Sequence, residues 1–112
     1  MNISEEQRGD ILILRVAEGR LDAAKAPALR DALLRQIDTG HNQIILDLSA
    51  TEFMDSSGLG ALVSTVKRLG SRGTLAIAGA QGAVTRLFTL TRMDRVFALH
   101  QSVDAAIEKM AG

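Results

Sequence analysis

The chain is predicted to fold as an α/β domain in which a mixed sheet of four to five strands is covered by about four helices. Three observations lead there. Short apolar runs, among them Ile11-Leu12-Ile13-Leu14, Ile44-Ile45-Leu46 and Leu75-Ala76-Ile77-Ala78, have the length of buried strands. Between them lie longer stretches whose Leu, Val and Ile recur at helical spacing. The two kinds alternate along the chain, which is the order expected of parallel strands joined by helical crossovers. At 112 residues, 46% hydrophobic and 23% charged, the chain suits one domain with enough aliphatic material for a core. No linker, repeat or low-complexity segment divides it, so residues 1–112 are read as a single domain.

Residues 2–7 are a strand candidate, and Arg8-Gly9-Asp10 turns into a second at 11–16, making a hairpin. That antiparallel start is what makes the sheet mixed. The Arg-Gly-Asp tripeptide is read as the turn and not as an adhesion motif, since the N-terminus has no signal-peptide character. Gly19-Arg20-Leu21-Asp22 is expected to break the second strand and open a helix over 23–38. Pro27 suits its first turn, where there are no intrahelical N–H bonds to lose. Ala26, Leu29, Leu33, Leu34 and Ile37 form its apolar stripe, and Thr39-Gly40 stops it.

A strand at 43–48 follows, then a loop at 49–54 and a helix at 57–70. At 100° per residue, Leu59, Leu62, Val63, Val66 and Leu69 fall on one side of this helix. Ser57, Gly60, Ala61, Ser64 and Arg68 fall on the other. Gly70 to Gly73 make a turn into a strand at 74–78, ended by Gly79. The third helix, 82–91, carries Val84, Leu87, Phe88 and Thr91 at helical spacing. Val96-Phe97-Ala98-Leu99 reads as the last strand, and Ser102 as the cap of a helix bearing Val103, Ala106, Ile107 and Met110.

Composition removes several function classes. With 13 basic and 13 acidic residues scattered in both signs, there is no basic patch for nucleic acid or an anionic membrane. Phe53, Phe88 and Phe97 are the only aromatics, too few for base-stacking platforms. No cysteine means no disulfide, no thiolate catalysis and no cysteine-ligated zinc. No apolar run approaches the ~20 residues that span a bilayer. A cytoplasmic protein without nucleic-acid or membrane partners is expected.

The stretch Phe53-Met54-Asp55-Ser56-Ser57-Gly58-Leu59-Gly60 is the hinge of the chain. Here a strand hands over to a helix, and Asp55, Ser56 and Ser57 are all suitable N-caps. Unpaired N–H groups at the helix start favour an anion, so a serine there can carry a phosphate without harming its own helix. One hydroxyl suffices for a cap, which leaves the second free. Gly60 costs about 1 kcal/mol relative to alanine inside a helix. Close approach of a partner backbone would explain it; so would packing against a loop of the same chain, or tolerance in a first turn.

A hydrolase elbow would need glycine where Met54 stands and a histidine base, whereas His41 and His100 read as solvated loop residues. A Walker-type phosphate loop would need a lysine, and none follows until Lys67. Asp22, Asp47 and Asp55 could ligate magnesium, but aspartates are commonplace at strand and helix ends. Neither a metal nor another cofactor is expected, and nucleotide binding or hydrolysis is kept as a rival reading.

These residues resemble a known family. Phe53 to Gly60, preceded by Ile45-Leu46-Asp47-Leu48, is similar to the signature of bacterial anti-sigma-factor antagonists of the STAS domain superfamily. Gly19-Arg20-Leu21-Asp22 resembles that family's Gly-Glu-Leu-Asp element, and Val84-Thr85-Arg86-Leu87-Phe88 with Met93-Asp94 resembles its third-helix segment. The resemblance covers essentially the whole chain. It implies a partner-switching protein and not an enzyme. The unphosphorylated form would capture an anti-sigma factor that is also a serine kinase. That kinase would phosphorylate the serine directly after the motif aspartate, Ser56, and a serine phosphatase of the PP2C type would reset it. By position, Asp22 and Asp55 would lie beside Ser56. Ser57, Gly58, Gly60, Ala61 and Ser64 would belong to the helix that meets the partner. Arg20 departs from the family, whose members often have glutamate there; the reversed charge bears on which partner is bound. The resemblance also admits a STAS module of another assembly, such as a stress-signalling scaffold or a transporter accessory subunit.

Overall fold

In the computed structural model, which describes residues 1–111, the expected hairpin comes first. Strand β1 (Ile3–Arg8) pairs antiparallel with β2 (Ile11–Val16), Ile3 opposite Val16 and Arg8 opposite Ile11. A two-residue strand β3 (Arg20–Leu21) precedes helix α1 (Ala26–Asp38), and β4 (Gln43–Asp47) follows. A second two-residue strand, β5 (Phe53–Met54), leads into α2 (Ser56–Leu69). Then come β6 (Thr74–Ala78), α3 (Ala83–Leu90), β7 (Ala98–His100) and α4 (Val103–Ala111).

The main sheet has the order β1-β2-β4-β6-β7, parallel except for β1. Its central strands are buried on both faces, which is why they read as unbroken apolar runs and not as alternating ones. Leu12, Leu14, Ile44, Leu46, Leu75 and Ile77 face α1, α2 and α3, with Leu29, Leu33, Leu62, Val84 and Phe88 packed against them. Ile11, Ile13, Ile45, Ala76 and Ala78 face the other way, onto Ala106 of α4. The mixed sheet and its helical covering are as expected.

Three features differ from expectation by more than a residue at an element's end. Helix α1 begins at Ala26 and not at 23, because residues 23–25 form a turn: the Asp22 carbonyl accepts the N–H of both Lys25 and Ala26. The last strand begins at Ala98 and not at Val96, because a 3-10 turn at Met93–Arg95 carries Phe97 inward. There its ring stands edge-to-face on Phe88, centroids 5.5 Å apart, and is fully buried. Finally, β3 and β5 pair in parallel as a small separate sheet, Arg20 opposite Phe53 and Leu21 opposite Met54, where the sequence suggested only loop and helix start.

Candidate functional site

The small sheet carries the site. Side chains alternate along a strand. Leu21 and Met54 point inward, 0% and 4% exposed, and anchor the ladder in the core. Arg20 and Phe53 therefore turn outward, and Asp22 and Asp55 follow them one pleat further on the same side. The ladder continues toward α2 through the Asp55 N–H, which donates to the Leu21 carbonyl at 3.3 Å. Asp22 and Asp55, the residues that follow the two strands, are thus brought side by side by tertiary pairing, although 33 positions separate them in the chain.

Asp55 starts the helix. Its backbone is extended, and its Oδ1 accepts the N–H of Ser57 at 2.9 Å and of Gly58 at 3.2 Å. The cap is therefore a carboxylate, and neither serine hydroxyl is needed for it. Ser56 is the first helical residue, and both Ser56 and Ser57 are exposed. No acidic residue lies in the first turn of α2 itself, so the Asp55 cap is the carboxylate at the positive end of its dipole.

The two glycines have opposite roles. A Cβ on Gly58 would stand 2.4 Å from the Leu21 carbonyl oxygen and 2.9 Å from Met54 Cγ, so only glycine lets the helix close onto the small sheet. Gly58 is buried, which corrects its expected place on the partner-facing side. Gly60 is exposed, and a Cβ there would meet nothing within 4 Å. Packing against a loop of the same chain is thereby removed as its explanation.

Ala61 also differs from expectation. Placed outward by the helical wheel, it is 4% exposed, and Thr65 is buried beside it with its hydroxyl donating to the Ala61 carbonyl at 2.9 Å. The reason is that α2 packs against α1 as well as the sheet, so its buried arc is wider than one stripe. Between the two helices runs a shallow groove of about 410 Å³, floored by Ala61, with Pro27 and Arg30 on the α1 side and Ser57, Gly60 and Ser64 on the α2 side. Arg30 was not anticipated; its four-residue spacing from Ala26 on α1 was the available signal.

Charges around the mouth of α2 are mixed. The Arg20 guanidinium lies over the Phe53 ring, 4.3 Å from its centroid, with Nε 3.8 Å from Asp22. The loop feeding β3 is tied down by Glu18. Its carboxylate accepts from Lys25 Nζ at 2.6 Å and from the Asn2 N–H at 2.8 Å, and these two bonds hold it below the usual carboxylate range. The Glu18 carbonyl takes the Thr51 hydroxyl at 2.8 Å, and Gly19 accepts the N–H groups of Glu52 and Phe53. Both strands of the small sheet thus enter from braced loops.

His41 lies with Arg68 and Leu69 at the C-terminal end of α2, a helix of 14 residues and so about 20 Å from the Ser56 end. It cannot serve Ser56 as a base. Among the described residues no three His, Asp or Glu side chains are placed to hold a metal ion, and no helix is long and apolar enough to cross a membrane.

Residues 2–106 match the STAS domain family. The anti-sigma-F factor antagonist RsfB of Mycobacterium tuberculosis is 30% identical over 95 residues, 84% of this chain and 77% of that one. An anti-sigma-B factor antagonist of Staphylococcus epidermidis is 28% identical over 105 residues, 93% and 96% of the two chains. The crystal structure of an anti-sigma factor antagonist from Mycobacterium paratuberculosis superposes with a TM-score of 0.90 at 28% identity, covering 99% of this chain and 94% of that one. Element order, the paired acids at a serine-bearing helix mouth and the match over nearly the whole length lead to one conclusion: the chain belongs to the STAS domain family.

Proposed function

We propose that this protein is a cytoplasmic anti-sigma-factor antagonist whose docking is switched by phosphorylation of Ser56. In this reading the unphosphorylated form binds an anti-sigma factor that is also a serine kinase. The kinase transfers the γ-phosphoryl group of ATP to Ser56 Oγ: the new O–P bond forms as the bond to ADP breaks, and the hydroxyl proton goes to a base on the kinase. A PP2C-type phosphatase hydrolyses the phosphate and restores the binding form. The chain itself performs no turnover. The observation that carries the proposal is the exposed Ser56 at the first position of a helix already capped by Asp55. Its oxygen is left over from folding and available to another protein.

The energetics support a switch that acts at the interface and not on the fold. A phosphate adds about −1.5 to −2 charges. At a helix N-terminus that is worth roughly 0.3–1 kcal/mol in favour of the folded state. Asp22 and Asp55 oppose it mildly through solvent. Pressed against a partner surface that offers no cation of its own, the same dianion loses its water and gains no countercharge from that surface. A penalty of about 4 kcal/mol weakens binding on the order of a thousandfold. The exposed Ser57 and Gly60 and the half-buried Ser64, beside Asp22 and Asp55, are the groups assigned to the docking face; Gly58 and Ala61 support it from beneath.

The test is calorimetric titration of the cognate kinase with wild type, Ser56→Ala and Ser56→Asp. Ser56→Ala should bind like the unmodified protein, and Ser56→Asp far more weakly, while both melt within a few degrees of wild type. Equal affinity of Ser56→Asp and wild type would sink the electrostatic account. Peptide mass spectrometry after incubation with kinase and ATP should place the phosphate on Ser56 and not on Ser57.

A further inference from the structure

The outer face of the small sheet holds one cation among two acids. Arg20, Phe53, Asp22 and Asp55 share that face because each lies an even number of residues from its strand neighbour and the two strands run parallel in register. Arg20 is held loosely. Its side chain is 62% exposed, it contacts the Phe53 ring at 4.3 Å, and its ion pair with Asp22 is long at 3.8 Å. An exposed pair of that length is worth little, and giving it up costs correspondingly little. Phe53 is three residues before Ser56, on the strand that runs directly into the helix mouth.

We propose that Arg20 is the intramolecular counter-ion of the phosphate on Ser56, leaving Asp22 and the Phe53 ring to pair with it when Ser56 is modified. This rests on Ser56 being the acceptor. It goes further by giving the phosphorylated state a structural signature within this chain. A guanidinium presents several donors in a planar fork that matches phosphate oxygens, and a dianion competes for it better than one carboxylate does. The phosphate is then partly neutralised in cis, which offsets the repulsion from Asp22 and Asp55. The cation is also withdrawn from the docking face, so a partner loses it as a contact in the modified state.

The other charges near the mouth of α2 do not compete equally. Lys25 is committed to Glu18 at 2.6 Å. Arg30 stands across the groove from Ser57, on the α1 side, with a weak pair to Asp31 at 3.9 Å. Helix α3, which packs on β5, has Arg86 as its only ionisable residue. These give the controls.

The experiment installs phosphoserine at position 56 during translation, so it does not depend on whether a kinase acts on this protein in its cell. The second ionisation of the phosphate is followed by 31P NMR in wild type, Arg20→Gln, Arg30→Gln and Arg86→Gln backgrounds at low salt. Arg20→Gln should raise that pKa by about half a unit, and the difference should shrink as salt is added. Arg30→Gln and Arg86→Gln should move it less. In the wild-type background the Phe53 ring protons should shift on phosphorylation as the guanidinium leaves; in Arg20→Gln they should not. An unchanged pKa in Arg20→Gln, or an equal shift in Arg30→Gln, overturns the assignment. Absence of Ser56 phosphate in cells, with the titration as expected, would instead strike the proposed switch and leave Arg20's capacity standing.

Discussion

Strands β4 and β5 both lead toward α2, and they are built on different principles. β4 sits at the centre of the main sheet between β2 and β6, with Ile44, Ile45 and Leu46 at 0% exposure. It is held by hydrogen bonds on both edges and by aliphatic packing on both faces. β5 has two residues, one strand partner and one well-buried side chain, Met54. The first provides stability and the second provides position. A site that must be modified and docked against has to face water, so it is hung on a short ladder at the margin of a core that can bear the cost. What the small sheet lacks in buried area it recovers in close fit, through Leu21, Met54 and the glycine that lets α2 approach them.

Substitutions should separate these roles, beginning in the core. Leu46→Ala removes a fully buried side chain and should cost about 3–4 kcal/mol by urea denaturation. A loss under about 1 kcal/mol would mean that β4 is not the stability centre that its burial indicates. Gly58→Ala forces a Cβ into the Leu21 carbonyl and should cost about 2–3 kcal/mol. Gly60→Ala, two residues on but facing open space, should stabilise by up to about 1 kcal/mol while weakening partner binding in calorimetry. If the two glycines behaved alike, the division between a supporting and a docking side of α2 would fail.

Asp55→Ala leaves the Ser57 and Gly58 N–H groups without their acceptor and should cost about 1 kcal/mol. Ser56→Ala should cost almost nothing, because the hydroxyl does not cap. The smallest effect contrasts two acids, Glu18 beside the small sheet and Glu6 on the main one. Glu18 is held low by Lys25 and the Asn2 N–H, and Glu6 by Arg8 and Arg15. A depressed carboxylate stabilises the fold above its unfolded pKa, and that contribution is lost as pH falls through the folded value. Urea midpoints measured from pH 7 down to 3 should decline less steeply in Glu18→Gln and in Glu6→Gln. Only Glu18→Gln should also loosen the mouth of α2, seen as faster amide exchange at Asp55 and Ser57.

Much of this was legible in the residues alone. Local chemistry dictates the apolar strands, the helical stripes of Leu29 and Leu33 or Leu59 and Leu62, the hairpin at Gly9 and the capped serine stretch, because each depends on neighbours a few positions away. Of the two acids expected near Ser56, Asp55 adjoins it in the chain, whereas Asp22 could be named from family likeness but not from spacing. Asp22 and Asp55 meet only because β3 pairs with β5, and a two-residue ladder has no periodicity to read. Pairing also decided which group caps α2, since three adjacent residues could do so and backbone geometry selected Asp55. It decided that Gly58 and Ala61 face inward while Gly60 faces out, because the buried arc of α2 depends on α1 and the small sheet as well as on its own stripe. Hydrophobic pattern and cap chemistry are properties of the chain; which surface remains free for a partner is a property of what packs beside it.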